Sequence, residues 1–175
     1  MKRTLISAAL ALTSTTAFAE TTDMIVACQQ TGYDYAWYLD HPDEDQGKTA
    51  ARFADLFTED ATWTVSGMDL KLATHTGPKE IAARYLQGRD QFRFMHLIAN
   101  HRVTSISDTT ATGTSYVEFY IHPIGADMTH EFGVTGVAEY RDSYEYKDGV
   151  CRITAREGVP RFISLENKIH DPVPE

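Results

Sequence analysis

Four stretches between residues 94 and 157 decide the fold: FMHLIANHRVTSIS (94–107), ATGTSYVEFYIH (111–122), EFGVTGVAEYRDSYEY (131–146) and VCRITARE (150–157). Each alternates apolar or β-branched side chains with polar ones at a spacing of two, the period of a strand whose two faces meet different surroundings. The breaks between them are turn formers: Ser107-Asp108-Thr109, the run from Pro123 to Met128, and Asp148-Gly149 as a tight hairpin turn. Consecutive long strands with such short links pair as an antiparallel sheet.

Upstream of this block the period is helical. Ile25, Cys28, Gly32, Tyr35 and Leu39 recur at steps of three and four and predict an amphipathic helix from Asp23 to Asp40, with Thr22 as its cap. The polar run from His41 to Gly47 breaks it, and Ala50, Phe53, Ala54 and Phe57 predict a second helix ending near Thr58. Ala61–Val65 reads as a short strand and Leu70–Ala73 as another. Gly77-Pro78-Lys79-Glu80 opens a third helix, since proline suits the first helical position and a carboxylate the N-terminal end; Ile81 and Tyr85 are its expected buried face. Three helices followed by a long antiparallel sheet predict an α+β fold, a strongly curved sheet wrapped around the helices as a cone with an open mouth.

The chain begins Met1-Lys2-Arg3, continues apolar from Leu5 to Leu12 and reaches Ala17-Phe18-Ala19. That is the pattern of a secretory signal (residues 1–19), and it places the protein in the periplasm or outside the cell. Removing 19 of 175 residues leaves 156, the size of one domain, read as residues 20–158. Val159–Glu175 reads as a tail whose Phe162, Ile163 and Leu165 cap a pocket or reach a neighbour. The net charge is −9, or −11 without Lys2 and Arg3. An acidic surface repels phosphate backbones and anionic lipid, so neither nucleic acid nor membrane is an expected partner.

Cys28 and Cys151 are the two cysteines. In an oxidising compartment they form a disulfide, or else they pack as two small buried thiols. His75, His101, His130 and His170 have no mutual metal spacing, and no metal site is expected. His96 and His101, five apart on one strand, are expected on opposite faces. Ser66, Ser115 and Ser143 lack the context of a nucleophile elbow.

Four motifs, in order, carry a resemblance. Tyr35-Ala36-Trp37-Tyr38-Leu39-Asp40, then Phe53 to Trp63, then Gly77-Pro78-Lys79-Glu80-Ile81, then His96-Leu97-Ile98-Ala99-Asn100-His101 resemble the SnoaL-like branch of the nuclear transport factor 2-like superfamily. Tyr140-Arg141-Asp142 and the segment from Asp148 to Ile153 complete the likeness, which runs from about Ile25 to Glu157. The superfamily spans dehydratases, isomerases, an epoxide hydrolase, polyketide cyclases and non-catalytic modules, so the fold alone does not assign a function.

Taken by itself, Asp40 is either a base at a helix C-terminus or a solvated loop aspartate beside Asp43, Glu44 and Asp45. His96 shares a strand face with Phe94, Ile98 and Asn100, and is either a core histidine or a catalyst. The resemblance implies more: in the dehydratases that this chain resembles, an aspartate at the position of Asp40 pairs with a histidine at that of His96, and the imidazole is the general acid/base. It also implies a tyrosine at Tyr35 and a basic residue near Arg156. The reaction so implied is proton removal beside a carbonyl, with loss of water or migration of a double bond, and no cofactor. Val117, Phe119 and Ile121 on one strand and Ala138, Tyr140, Asp142 and Tyr144 on another are the expected pocket walls. Asp142 either binds substrate or pairs with a neighbouring arginine. Two departures stand out: Trp63-Thr64-Val65 lies where the dehydratases carry a further tyrosine, and a second histidine of scytalone dehydratase falls beside His122.

Three function classes follow as expectations. The first is a cofactor-independent lyase or isomerase acting on a small, largely apolar carbonyl or hydroxy compound. The second is an exported protein that binds a small hydrophobic molecule without turnover. In the third, the outer sheet face packs on a partner, a second copy of the chain included, as the superfamily resemblance implies.

Overall fold

The computed structural model describes residues 10–67, 70–71, 74–87, 89–125 and 134–164. The start of the leader up to Ala9, the strand start expected at Glu131–Gly133, and Leu165 lie outside the described residues, as do the side chains of Leu70–Ala73 and Tyr85.

Helix α1 (Leu10–Asp40) runs unbroken through Thr22, which is therefore a helical residue and not a cap. Its inner stripe of Met24, Cys28, Thr31, Tyr35 and Leu39 is buried at the spacing the period predicts. Helix α2 (Gln46–Ala54) starts where Asp45 accepts hydrogen bonds from the amides of Gly47 and Lys48, satisfying two otherwise unpaired donors. It ends before Phe57, which is the first residue of strand β1 (Phe57–Gly67) rather than the last turn of a helix. Two short strands, β2 (Leu70–Lys71) and β3 (His75–Thr76), pair with β1. Helix α3 (Pro78–Leu86) has proline in its first turn, and Glu80 accepts from the Thr76 amide (3.1 Å) and meets His75 Nδ1 (3.1 Å).

Four long strands complete the chain: β4 (Phe92–Ser105), β5 (Thr110–Pro123), β6 (Val134–Lys147) and β7 (Val150–Ser164). The sheet order is β2-β1-β7-β6-β5-β4, antiparallel except where β1 runs parallel to β7. The sheet curves around the helices but does not close, giving the expected α+β cone. Asp148 and Gly149 both have positive φ (52° and 79°), the geometry of the two-residue turn that matches strand twist. Strand β7 continues through Val159–Ser164 and pairs with β6 up to Ser164↔Thr135, so the expected tail is strand up to that point; Phe162 faces outward, away from the pocket.

Of the sheet's register irregularities, two decide which side chains near the cavity face inward. In β4 the pairing slips between Ala99 and Arg102, and Asn100 has φ 52°. One extra residue inverts the alternation, so Phe94, His96 and Ile98 face in on one side of it, and His101 and Val103 on the other. His96 and His101 therefore share the inner face, not opposite faces, and Asn100 is exposed. In β7 the slip falls between Ile153 and Ala155, where Thr154 is extra. Cys151 and Ile153 face in before it; Arg156, Gly158 and Pro160 face in after it.

Cys28 and Cys151 form a disulfide (Cα–Cα 5.0 Å) that ties α1 to the start of β7 across 123 residues of sequence. Beside it Thr31 Oγ1 donates to the Cys151 carbonyl (2.9 Å). Helix α1 lies close on β4 because Gly32 has no side chain: a Cβ there would meet His101 Cε1 at 2.3 Å.

Candidate active site

The last turn of α1 and the first half of β4 meet at one pair of side chains. His96 Nδ1 lies 2.6 Å from Asp40 Oδ1, and the His96 backbone N–H donates to Asp40 Oδ2 at 2.6 Å. Both carboxylate oxygens are thus committed to one residue, 56 positions away in sequence. Each side chain is about one-tenth exposed, 10% for both. A carboxylate against Nδ1 selects the tautomer with its proton there, which leaves the Nε2 lone pair as the ring's free acceptor. Asp40 and His96 are brought together, then, and Asp40 is not a solvated loop aspartate.

His96 forms part of the wall of a cavity of about 180 Å³. Leu39, Phe53, Ile81, Phe94 and Ile121 supply its apolar lining, Tyr35, Trp63 and Tyr140 the aromatic groups with polar tips, and Arg84, Gln87 and Arg89 its remaining polar side. The space is small compared with drug-sized pockets of about 300–1,000 Å³ and fits a small molecule. Of the walls expected from strand alternation, Ile121 and Tyr140 line it. Val117 is fully buried in the core and Phe119 packs against that core, so these two support the cavity without lining it.

Tyr35 is buried, its ring 5.8 Å from that of Tyr140 and nearly perpendicular to it. Burial pushes the Tyr35 phenol above its ordinary value against the pull of the Arg156 charge, and burial raises Tyr140 well above. Both hydroxyls keep their protons and act as donors.

Behind the cavity wall lies a second acid–base pair. Arg156 donates through Nε to Asp142 Oδ1 (2.7 Å) and through Nη2 to Asp142 Oδ2 (2.8 Å), with the side chains 1% and 0% exposed. Asp142 is thus the strand aspartate paired with a neighbouring arginine. Tyr144 adds a donated bond to Asp142 Oδ2 (2.8 Å), and its hydroxyl lies 3.4 Å from His101 Nε2. The guanidinium carbon sits 4.0 Å over the Tyr35 ring and 4.5 Å over the Tyr140 ring, two cation–π contacts in the corner that the perpendicular rings form. Burial works against the charge on Arg156, but Asp142 outweighs it and holds the guanidinium protonated. His101 is shifted the other way: burial lowers it below the usual histidine value, against the attraction of Asp142, so it is neutral in this setting.

Reasoning from sequence missed Arg84, Arg89 and His101. Arg89 is buried, donates from Nη1 to the Leu39 carbonyl and lies 3.7 Å over the Phe94 ring, so it also secures the turn that carries Asp40. No sequence pattern flags it. Among the described residues no group of three or more metal-binding side chains gathers, and no helix is long and apolar enough to cross a membrane.

An open α+β cone around a small cavity, with an aspartate-oriented histidine in its wall, defines a recognisable class of pocket protein. The family model of the SnoaL-like domain matches residues 20–157, and the chain belongs to that family. None of the curated proteins matches the chain in sequence. Among solved structures, it is similar to a candidate scytalone dehydratase from Novosphingobium aromaticivorans DSM 12444, with 19% identity, 81% of this chain and 87% of that one covered, and TM-score 0.65. It is likewise similar to the hexachlorocyclohexane dehydrochlorinase LinA-type3 from Novosphingobium barchaimii LL02 (22%, 85% and 94%, 0.64). The β subunit of benzoate 1,2-dioxygenase from Burkholderia mallei ATCC 23344 is a more distant likeness (15%, 76% and 87%, 0.59). These likenesses concern the fold, which hosts unrelated activities.

Proposed function

We propose that the protein is a cofactor-independent lyase or isomerase in which His96, held by Asp40, moves a proton on a small, largely apolar carbonyl or hydroxy compound. The observation that carries this reading is the 2.6 Å contact between Asp40 Oδ1 and His96 Nδ1 at the wall of a cavity open on one side. Nε2 takes a proton from the carbon beside the carbonyl, and the electron pair moves into the carbonyl to give an enolate. The charge that develops on oxygen is met by the protonated hydroxyl of Tyr35 or Tyr140. The imidazolium, its charge balanced by Asp40, then returns the proton: to a hydroxyl leaving as water in a dehydration, or to a different carbon in an isomerisation. Atoms and charge balance without an added group.

Export is part of the proposal. It is supported by the leader pattern of residues 1–19 and by the Cys28–Cys151 bridge, since disulfides persist in oxidising compartments.

The test is a thermal-shift screen of the purified protein against sterols, polyketides, terpenoids and aromatic hydroxy-ketones, because a bound ligand raises the melting temperature by mass action. Each stabilising compound is then incubated in D2O. Deuterium uptake or water loss that vanishes in His96→Ala supports the proposal. Stabilisation with neither reaction in the native protein leaves a binding protein and overturns it.

A further inference from the structure

The charged residues described in the cavity wall have the sign opposite to that of the chain. The whole sequence bears −9, yet among the described lining residues there are two arginines, Arg84 and Arg89, and no acid. Asp40 stands behind the imidazole and contributes one negative charge through the dyad. Asp142 and Arg156 cancel each other. Among the described lining residues, both formally charged side chains are therefore cationic. Arg89 is 9% exposed and fixed by the Leu39 carbonyl and the Phe94 ring, so its position is set before any ligand arrives. Arg84, in the last turn of α3, is exposed and forms no ion pair among the described residues. A fixed, buried guanidinium and an exposed one with no ion pair among the described residues line the same largely apolar hollow, an arrangement that accepts an anion.

We propose that the ligand of this cavity is a monoanion, a small apolar or aryl carboxylic acid whose carboxylate lies against Arg84 and Arg89 while its apolar body extends toward His96. The inference rests on the reading of this cavity as the active site and narrows its substrate class. It also gives the order of events at the site: Arg84 takes the carboxylate at the rim, and the remaining chain enters the apolar interior. A carboxylate held at that end leaves the carbons further along the ligand for Nε2.

The test uses matched pairs of an acid and its primary amide, which share shape and differ in charge: benzoate, phenylacetate and cinnamate against benzamide, phenylacetamide and cinnamamide. Dissociation constants are measured by calorimetry at pH 7.5. At least one acid is expected to bind about tenfold tighter than its amide, the range expected for bonds to a charged group. Arg84→Gln brings the pair to near parity, Arg84→Lys keeps most of the preference, and Arg93→Gln, on an exposed stretch of β4, leaves it intact. An acid and amide that bind equally, a preference untouched by Arg84→Gln, or a series in which no acid binds overturns the inference. His96→Ala is expected to keep the preference for the acid. Loss of proton transfer with the preference retained separates the fate of this inference from that of the proposed reaction.

Discussion

Two acid–base pairs, one reaching the cavity through His96 and one buried behind its wall, are built to opposite ends. Asp40 and His96 meet through one nitrogen and leave the other at the cavity, each side chain about one-tenth exposed. Asp142 and Arg156 meet through two bonds, with a third from Tyr144, and are sealed at 0% and 1%. Histidine exchanges its proton near neutral pH, whereas a buried, bidentate guanidinium does not. The first pair keeps a free valence for chemistry. The second is sealed, and its guanidinium holds Tyr35 and Tyr140 in place through two cation–π contacts.

The sharpest way to break that contrast is to remove one member of each pair and compare what is lost. His96→Ala or Asp40→Asn is expected to lower turnover of a ligand identified by the screen by about 10²–10⁴-fold, with the melting temperature little changed. Arg156→Met leaves a buried carboxylate without its cation and is expected to cost about 3–5 kcal/mol of stability in urea unfolding. The double variant Asp142→Leu, Arg156→Met loses less than Arg156→Met alone, because no uncompensated charge remains. If turnover falls equally in all of these with stability unchanged, the division of labour is wrong.

Cys28→Ser sharpens the contrast from the scaffold side. The bridge anchors the helix that carries Tyr35 and Asp40 to the strand that carries Arg156. Its loss is expected to cost about 2–5 kcal/mol, read as a lower denaturation midpoint.

The smallest effect is a pH effect. His101 sits against Tyr144, Tyr33 and Gly32, with Asp142 and Arg156 beyond, and burial lowers its folded value below the ordinary one of 6.5. In the window between those two values the unfolded chain binds more protons than the folded one, so stability rises with pH there. Acidification below about pH 6.5 is therefore expected to lower the melting temperature, and the part due to this residue disappears in His101→Gln. A native-like acid slope in that variant assigns the effect elsewhere.

How far the sequence reaches can be judged from the same residues. The four long strands were legible because β alternation survives any context, and the turn at Asp148-Gly149 because few residues adopt its positive φ values. Helix α1 was legible from the spacing of Cys28, Tyr35 and Leu39. The bulges were not. The hairpin pairs Lys147 with Val150, and in unbroken register it would set Ala155 opposite Asp142. One extra residue at Thr154 puts Arg156 there instead, and the extra residue near Asn100 turns His101 inward. Nothing local marks either site, since a bulge answers to the curvature of the whole sheet. The meeting of Asp40 with His96 across 56 positions was likewise expected only from family resemblance, and Arg84 and Arg89 carry no periodic signal at all.

The most direct test of the central claim is the tautomer of His96, read by NMR from the ¹⁵N shifts of the nitrogens of its neutral ring. The account predicts a protonated Nδ1 and a bare Nε2, with the preference weakened or reversed in Asp40→Asn. A proton on Nε2 in the native protein would leave no base at the cavity wall and would contradict it.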